Sequence, residues 1–214
     1  MTRTIVRPIA VLSLILIAGC ASNPPARRIW MAPRVDLKPY ETIGMVEFTS
    51  TSKGSLAGMA TRRFAEAARR DQDMIRMVEV GSERTALASV GRNAWNPDSC
   101  REIGRQHGVR TMFHGRLTIS NVKPAVQISA LFRSGQVTAQ VDATLEVEMI
   151  ESETGASIWS RSASATRSLG QVSVFGGKEF VFDADDPDHA YGDLVDALVG
   201  QVAGDFQGYW QTQR

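Results

Sequence analysis

Histidine is scarce in this chain and cysteine scarcer still, with three and two residues among 214. His107, His114 and His189 stand at no recognised metal-ligand spacing, and neither HExxH nor a paired CxxC occurs, so no metal centre is expected. Asp183, Asp185, Asp186 and Asp188 crowd one loop, but the glycine and terminal glutamate of a calcium-binding EF-hand are missing, and the loop reads as solvated. An excess of one charge is also lacking: 24 basic residues face 23 acidic ones, which gives no basic stripe for nucleic acid. No serine sits in a GxSxG elbow, and no glycine-rich loop leads to Lys-Ser/Thr at a helix start. No catalytic residue is therefore named, and the chain is expected to be neither an enzyme nor the holder of a diffusible cofactor. Repeats and low-complexity stretches are absent. The longest apolar run, Ile9–Ile17 broken by Ser13, falls short of the ~20 residues of a membrane-spanning helix.

That short run gains meaning from its flanks. Arg3 and Arg7 precede it and small residues follow it, the pattern of a secretory signal peptide over residues 1–19. Ile17-Ala18-Gly19-Cys20 resembles a bacterial lipoprotein lipobox. The resemblance implies cleavage before Cys20, a diacylglyceryl thioether on its sulfur and usually a third acyl chain on the new amino group. Ala21 in place of aspartate implies sorting to the outer membrane, with the chain lipid-anchored on the periplasmic face. A single acyl chain holds marginally, at ~0.8 kcal/mol per buried methylene, whereas two or three anchor stably. Cleavage takes Arg3 and Arg7 from the 24 basic residues and nothing from the 23 acids, leaving a charge near −1. Cys100 is then without an intramolecular partner. It shares a helical face with Ile103 and His107, as a buried small hydrophobe does.

Residues 20–39 carry the lipidated cysteine and four prolines without regular period, and read as a tether reaching at most ~60 Å. Arg27, Arg28 and Trp30 are assigned to solvated linker, with lipid headgroups or a neighbouring subunit as the alternative contact. Residues 40–214 form the domain. Strands are expected over 42–48, 75–80 and 109–119, and helices over 55–70 and 82–90. A third helix should start at the Asn96-Pro97 cap and stop at Gly108. Leu194, Leu198, Val202 and Phe206 recur every fourth residue within an amphipathic helix over 189–210. The expected fold class is α/β (α+β): a mixed sheet with helices packed on one face, a long antiparallel hairpin and a C-terminal helix.

The hairpin has the clearest pattern. Val122, Pro124, Val126, Ile128, Ala130 and Phe132 alternate with polar neighbours, and so do Val137, Ala139, Val141, Ala143, Leu145, Val147 and Met149. A two-residue turn at Ser134-Gly135 would pair Phe132 with Val137 and Val126 with Ala143, all on one apolar face. A second, smaller hairpin is expected about Gly176-Gly177.

Several segments together resemble the CsgG-like family of curli secretion lipoproteins, related to the N-terminal domain of TolB and to lipoproteins that activate peptidoglycan synthases. They are the lipobox, the strands 42–48 and 75–80, Arg101–Gly115 (REIGRQHGVRTMFHG), and the hairpin closing into Met149–Gly155 (MIESETG) with Ile158-Trp159. The usual Glu-Arg after the second strand is replaced by Gly81-Ser82. The resemblance implies a non-catalytic envelope protein, acting in assembly or secretion through contacts with an envelope protein or an exported one, and a homo-oligomer. Candidate contact residues are Val126, Ile128, Phe132, Val137 and Val141 on the long hairpin, and Phe175 and Phe180 on the second. The alternative is a curli-type pore subunit that inserts hairpins 119–149 and 168–183 into the outer membrane. Barrel strands of ~9–11 residues alternating apolar-out and polar-in would suit it, with Gln127, Ser129, Gln140, Asp142 and Thr144 toward water. An ordinary sheet with one face on a core gives the same alternation. A further alternative, a peptidoglycan-synthase activator, sits poorly with so short a tether.

Overall fold

A computed structural model describes residues 27–52, 55–120, 123–127, 136–171 and 187–213. The chain divides into two units, residues 1–31 with 210–214, and residues 32–209. In the first, β1 (Arg27–Met31) pairs with β9 (Tyr209–Gln213) in a two-stranded sheet whose residues are all exposed.

The larger unit is built on a mixed sheet. Strands β2 (Thr42–Glu47) and β4 (Arg76–Ser82) run parallel, and β2 is also parallel to β5 (Thr111–Ile119). The short β3 (Thr49–Ser50) continues alongside β5. Antiparallel pairing follows: β5 with β7 (Gln136–Glu151), β6 (Lys123–Gln127) with the start of β7, and β7 with β8 (Ser157–Gln171). The sheet does not close into a barrel; its order is β4-β2-β5-β7-β6, with β8 on the other side of β7.

Period-two alternation divides the core into two clusters. Helices α1 (Leu56–Arg69) and α4 (Pro187–Val202) cover one face, where Ile43, Met45, Phe113, Leu117 and the β7 row Val141, Ala143, Leu145, Val147, Met149 are buried. Phe64 of α1 lies at the centre, its ring 5.4 Å from Phe48, 5.1 Å from Phe113 and 6.1 Å from Phe206. Intervening residues of the same strands point the other way. There Val46, Val80, Met112 and Ile150 meet Ala86 and Leu87 of α2 (Glu83–Ser89) and Cys100 and Ile103 of α3 (Pro97–His107). The expected class is the one found; α2 and α3 form a smaller second cover because β2 and β5 carry apolar residues at both parities.

Local chemistry sets the element ends. Asn96 Oδ1 accepts from the Ser99 amide at 3.0 Å, Ser99 Oγ accepts from the Asn96 amide at 2.9 Å, and Pro97 occupies the first turn. Gly108 closes α3 at φ 64°, a left-handed position that glycine adopts without strain.

Three sequence expectations are corrected. The stretch assigned to a tether is structured from Arg27: β1 comes first, then Leu37, fully buried in the main core, then a 3-10 turn at Lys38–Tyr40. Proline content concealed this, because Pro39 starts that turn rather than breaking a chain of linker. The β6–β7 register also differs, with Val126 opposite Val137 and Lys123 opposite Gln140. A slip by an even number of residues keeps every apolar side chain on its face, so alternation fixed the parity and not the partner. The C-terminal helix ends at Val202 and tightens into a 3-10 turn at Ala203–Phe206 before β9. Phe206 is nonetheless fully buried, which is what its spacing reported. The apolar row Val141–Met149 faces α1 and α4, as the reading of an ordinary sheet with one face on a core has it, and not as the pore alternative requires.

Candidate functional site

Among the described residues, the face of β5, β7 and β8 opposite that buried row is its polar counterpart. Asp142, Thr144, Glu146 and Glu148 of β7 stand opposite Thr166, Ser164, Ser162 and Ser160 of β8. Thr166 Oγ1 donates to Asp142 Oδ1 at 2.7 Å, and the Thr144 and Ser164 hydroxyls are 2.9 Å apart. A cleft of ≈ 550 Å³ opens on this surface, with His114, Arg116, Glu146, Glu148, Ser160 and Ser162 among its lining residues.

Both ring nitrogens of His114 face carboxylates in the cleft. Its Nε2 is 3.0 Å from Glu83 Oε2 and its Nδ1 is 3.3 Å from Glu148 Oε1. The Trp95 ring stacks on it at 4.6 Å and 15°. A neutral imidazole can donate to one of these carboxylates and a protonated one to both. The cluster thereby ties α2 and β7 to β5 across the second core. Among the described residues no set of three or more His, Cys, Asp or Glu converges to hold a metal ion.

Behind it, Cys100 is 2% exposed. Burial, and then the negative charge of Glu148, push its thiol up to about 11. It is therefore protonated at neutral pH and serves as a small hydrophobe. In a Cys20→Ser chain, a thiol reagent should modify Cys100 at pH 7 roughly a hundredfold or more slowly folded than in urea, where the thiol titrates near ~8.5. Equal rates in the two states would refute the burial.

The inner face of β8 carries charges that α4 and the 3-10 turn neutralise. Arg161 Nη1 lies 2.5 Å from Asp205 Oδ1, and Arg167 Nη2 lies 2.5 Å from Asp193 Oδ2. Burial acts to raise the Asp205 carboxyl, but hydrogen bonds from Arg161 and Trp159 outweigh it and hold the group below its usual range. Inward charges of this kind also blunt an edge strand against pairing with another chain.

Of the sequence-predicted contact residues, Val141 is fully buried and Val126 and Val137 are paired across β6 and β7. Cys20, Ile128, Phe132, Phe175 and Phe180 lie outside the described residues, as does the hairpin about Gly176-Gly177. The structure thus brings Val126 to Val137 while Val141 belongs to the core. Sequence reasoning missed the Glu83–His114–Glu148 bridge, whose partners are separated by 31 and 34 residues. The one sequence signal was His114 at a polar-parity position of a strand. Among the described residues no helix is long and apolar enough to cross a membrane.

No family model matches this sequence, and no curated protein matches it. Solved structures do show similarity. A PelC dodecamer from Paraburkholderia phytofirmans is 13% identical, over 85% of this chain and 97% of that one, at a TM-score of 0.41. Lipoprotein GNA1162 from Neisseria meningitidis is 17% identical, over 75% and 96%, at 0.42. The C-terminal domain of LpoB from Salmonella enterica is 14% identical, over 63% and 87%, at 0.38. At these identities and scores the likeness carries no inference about function.

Proposed function

We propose that the chain is an outer-membrane lipoprotein, acylated on Cys20, whose CsgG-like domain works on the periplasmic face without catalysis. It acts by protein–protein contact in envelope assembly or secretion, as a homo-oligomer or with an envelope partner. The anchor rests on the order Arg3, Arg7, apolar run, Ala18-Gly19-Cys20. The single observation that favours a scaffold over a pore is the burial of Val141, Ala143, Leu145, Val147 and Met149, each at most 2% exposed, beneath α1 and α4. A barrel strand would turn that row to lipid. The polar face of β7 and β8 is then a water-facing surface open to a partner.

Light scattering of the lipoprotein extracted in mild detergent tests this reading. A monomer, dimer or small complex with a second protein is expected. A discrete large ring whose Val141→Cys variant is labelled by a lipid-soluble thiol reagent would overturn it, because a barrel must close through many hairpins. Cys20→Ser should move the chain from the membrane to the soluble fraction; retention at the membrane would remove the anchor from the reading.

A further inference from the structure

The sheet of β1 and β9 is unusual for what it exposes. Trp30 is 43% and Trp210 57% exposed, and Ile29 and Met31 are 40% and 37% exposed. The two indole rings lie 5.3 Å apart at 60°, and the Arg28 guanidinium stands 5.9 Å from the centre of the Trp210 ring. Alternation puts Arg28 and Trp30 on one face of β1 and Arg27, Ile29 and Met31 on the other. Residues 27–31 and 210–213 hold two arginines and no acid. A two-stranded ribbon with every residue exposed is marginal in water and gains most from whatever covers it.

We infer that this ribbon docks on the membrane surface, its tryptophans at the boundary between headgroups and acyl chains and its arginines on lipid phosphates. The inference rests on the proposed acylation of Cys20. Six residues, or seven peptide steps, separate Cys20 from Arg27, a reach of at most ~25 Å, so an anchored chain holds the ribbon beside the bilayer whatever else it binds. Chemistry then selects the occupant. Indole has an apolar body and one polar N–H, and it concentrates at membrane interfaces. Arginine lays its stem along apolar surface and keeps its charge among anions, and an acid-free patch is complementary to anionic headgroups.

The test uses the full acylated chain in vesicles of phosphatidylethanolamine and phosphatidylglycerol that contain lipids brominated at the headgroup end of the acyl chains. Flotation with the vesicles reports the anchor; quenching of tryptophan emission reports the ribbon. Trp159, whose Nε1 donates to Asp205 at 3.3 Å, and Trp95, stacked on His114, provide an internal reference that lipid should not quench. The expected result is flotation with a blue-shifted, quenched component that is lost in a chain carrying Trp30→Ser and Trp210→Ser. Arg27→Gln with Arg28→Gln should weaken the quenching while flotation persists. Flotation without quenching would overturn the ribbon and leave the anchor standing. Quenching that survives removal of both tryptophans would overturn it too, as would protection of both rings in a dimer free of lipid. Failure to float would overturn the anchor, and the docking that depends on it.

Discussion

Gln72→Leu is expected to lower the unfolding free energy by roughly 3–9 kcal/mol, because three backbone groups lose their partner together at ~1–3 kcal/mol each. Gln72 is 1% exposed, and its amide spans three segments of the larger unit. Its Oε1 accepts from the Leu37 amide at 2.8 Å, while Nε2 donates to the carbonyls of Val35 at 2.9 Å and Phe206 at 2.7 Å. Leucine fits the volume and satisfies none of them. Against a typical stability of ~5–15 kcal/mol this loss is severe, and a denaturant midpoint should report it directly. Gln106→Leu, an exposed change on α3, should stay within about 0.5 kcal/mol. Equal midpoints for the two variants would show that water replaces the clamp.

Phe64→Ala should cost about 3–5 kcal/mol, the range for emptying a buried aromatic site. Phe64 is fully buried and touches the rings of Phe48, Phe113 and Phe206, which come from three different parts of the fold. No one neighbour can collapse into the space without leaving the others. Phe64→Leu keeps most of the volume and should cost ~1.5 kcal/mol or less. Thermal unfolding of the two variants checks the order; an alanine variant as stable as the leucine one would mean that the cluster repacks.

What could be read from the sequence was what neighbouring residues decide together. Asn96-Pro97 and Gly108 marked α3 because caps are local hydrogen-bonding chemistry. The turn at Thr154-Gly155 is local chemistry of the same kind, and Gly155 adopts φ +70° there. Alternation along β7 gave the buried face correctly from Val141 to Met149, yet left the β6 partner open. Partners distant along the chain were not legible. Gln72 looks like any polar residue after a helix, and its bonds run to positions 35 and 134 residues away. Arg27–Met31 read as linker because its strand partner, Tyr209–Gln213, lies at the opposite end of the sequence. His114 and Glu148 sit on adjacent strands, but Glu83 arrives from a helix whose packing no local pattern announces.

The early start of ordered chain at Arg27 has a consequence for affinity. With Cys20 acylated, the seven peptide steps from Cys20 to Arg27 keep Arg27 within ~25 Å of the bilayer. A partner fixed in the same membrane shares that layer, so their encounter is governed by surface density and not by bulk concentration. A contact too weak to persist in dilute solution can then be occupied at the membrane, and it dissolves on dilution once the anchor is cut. For a chain so anchored a weak interface suffices, and a partner held by one would be kept at the membrane and lost from a soluble extract.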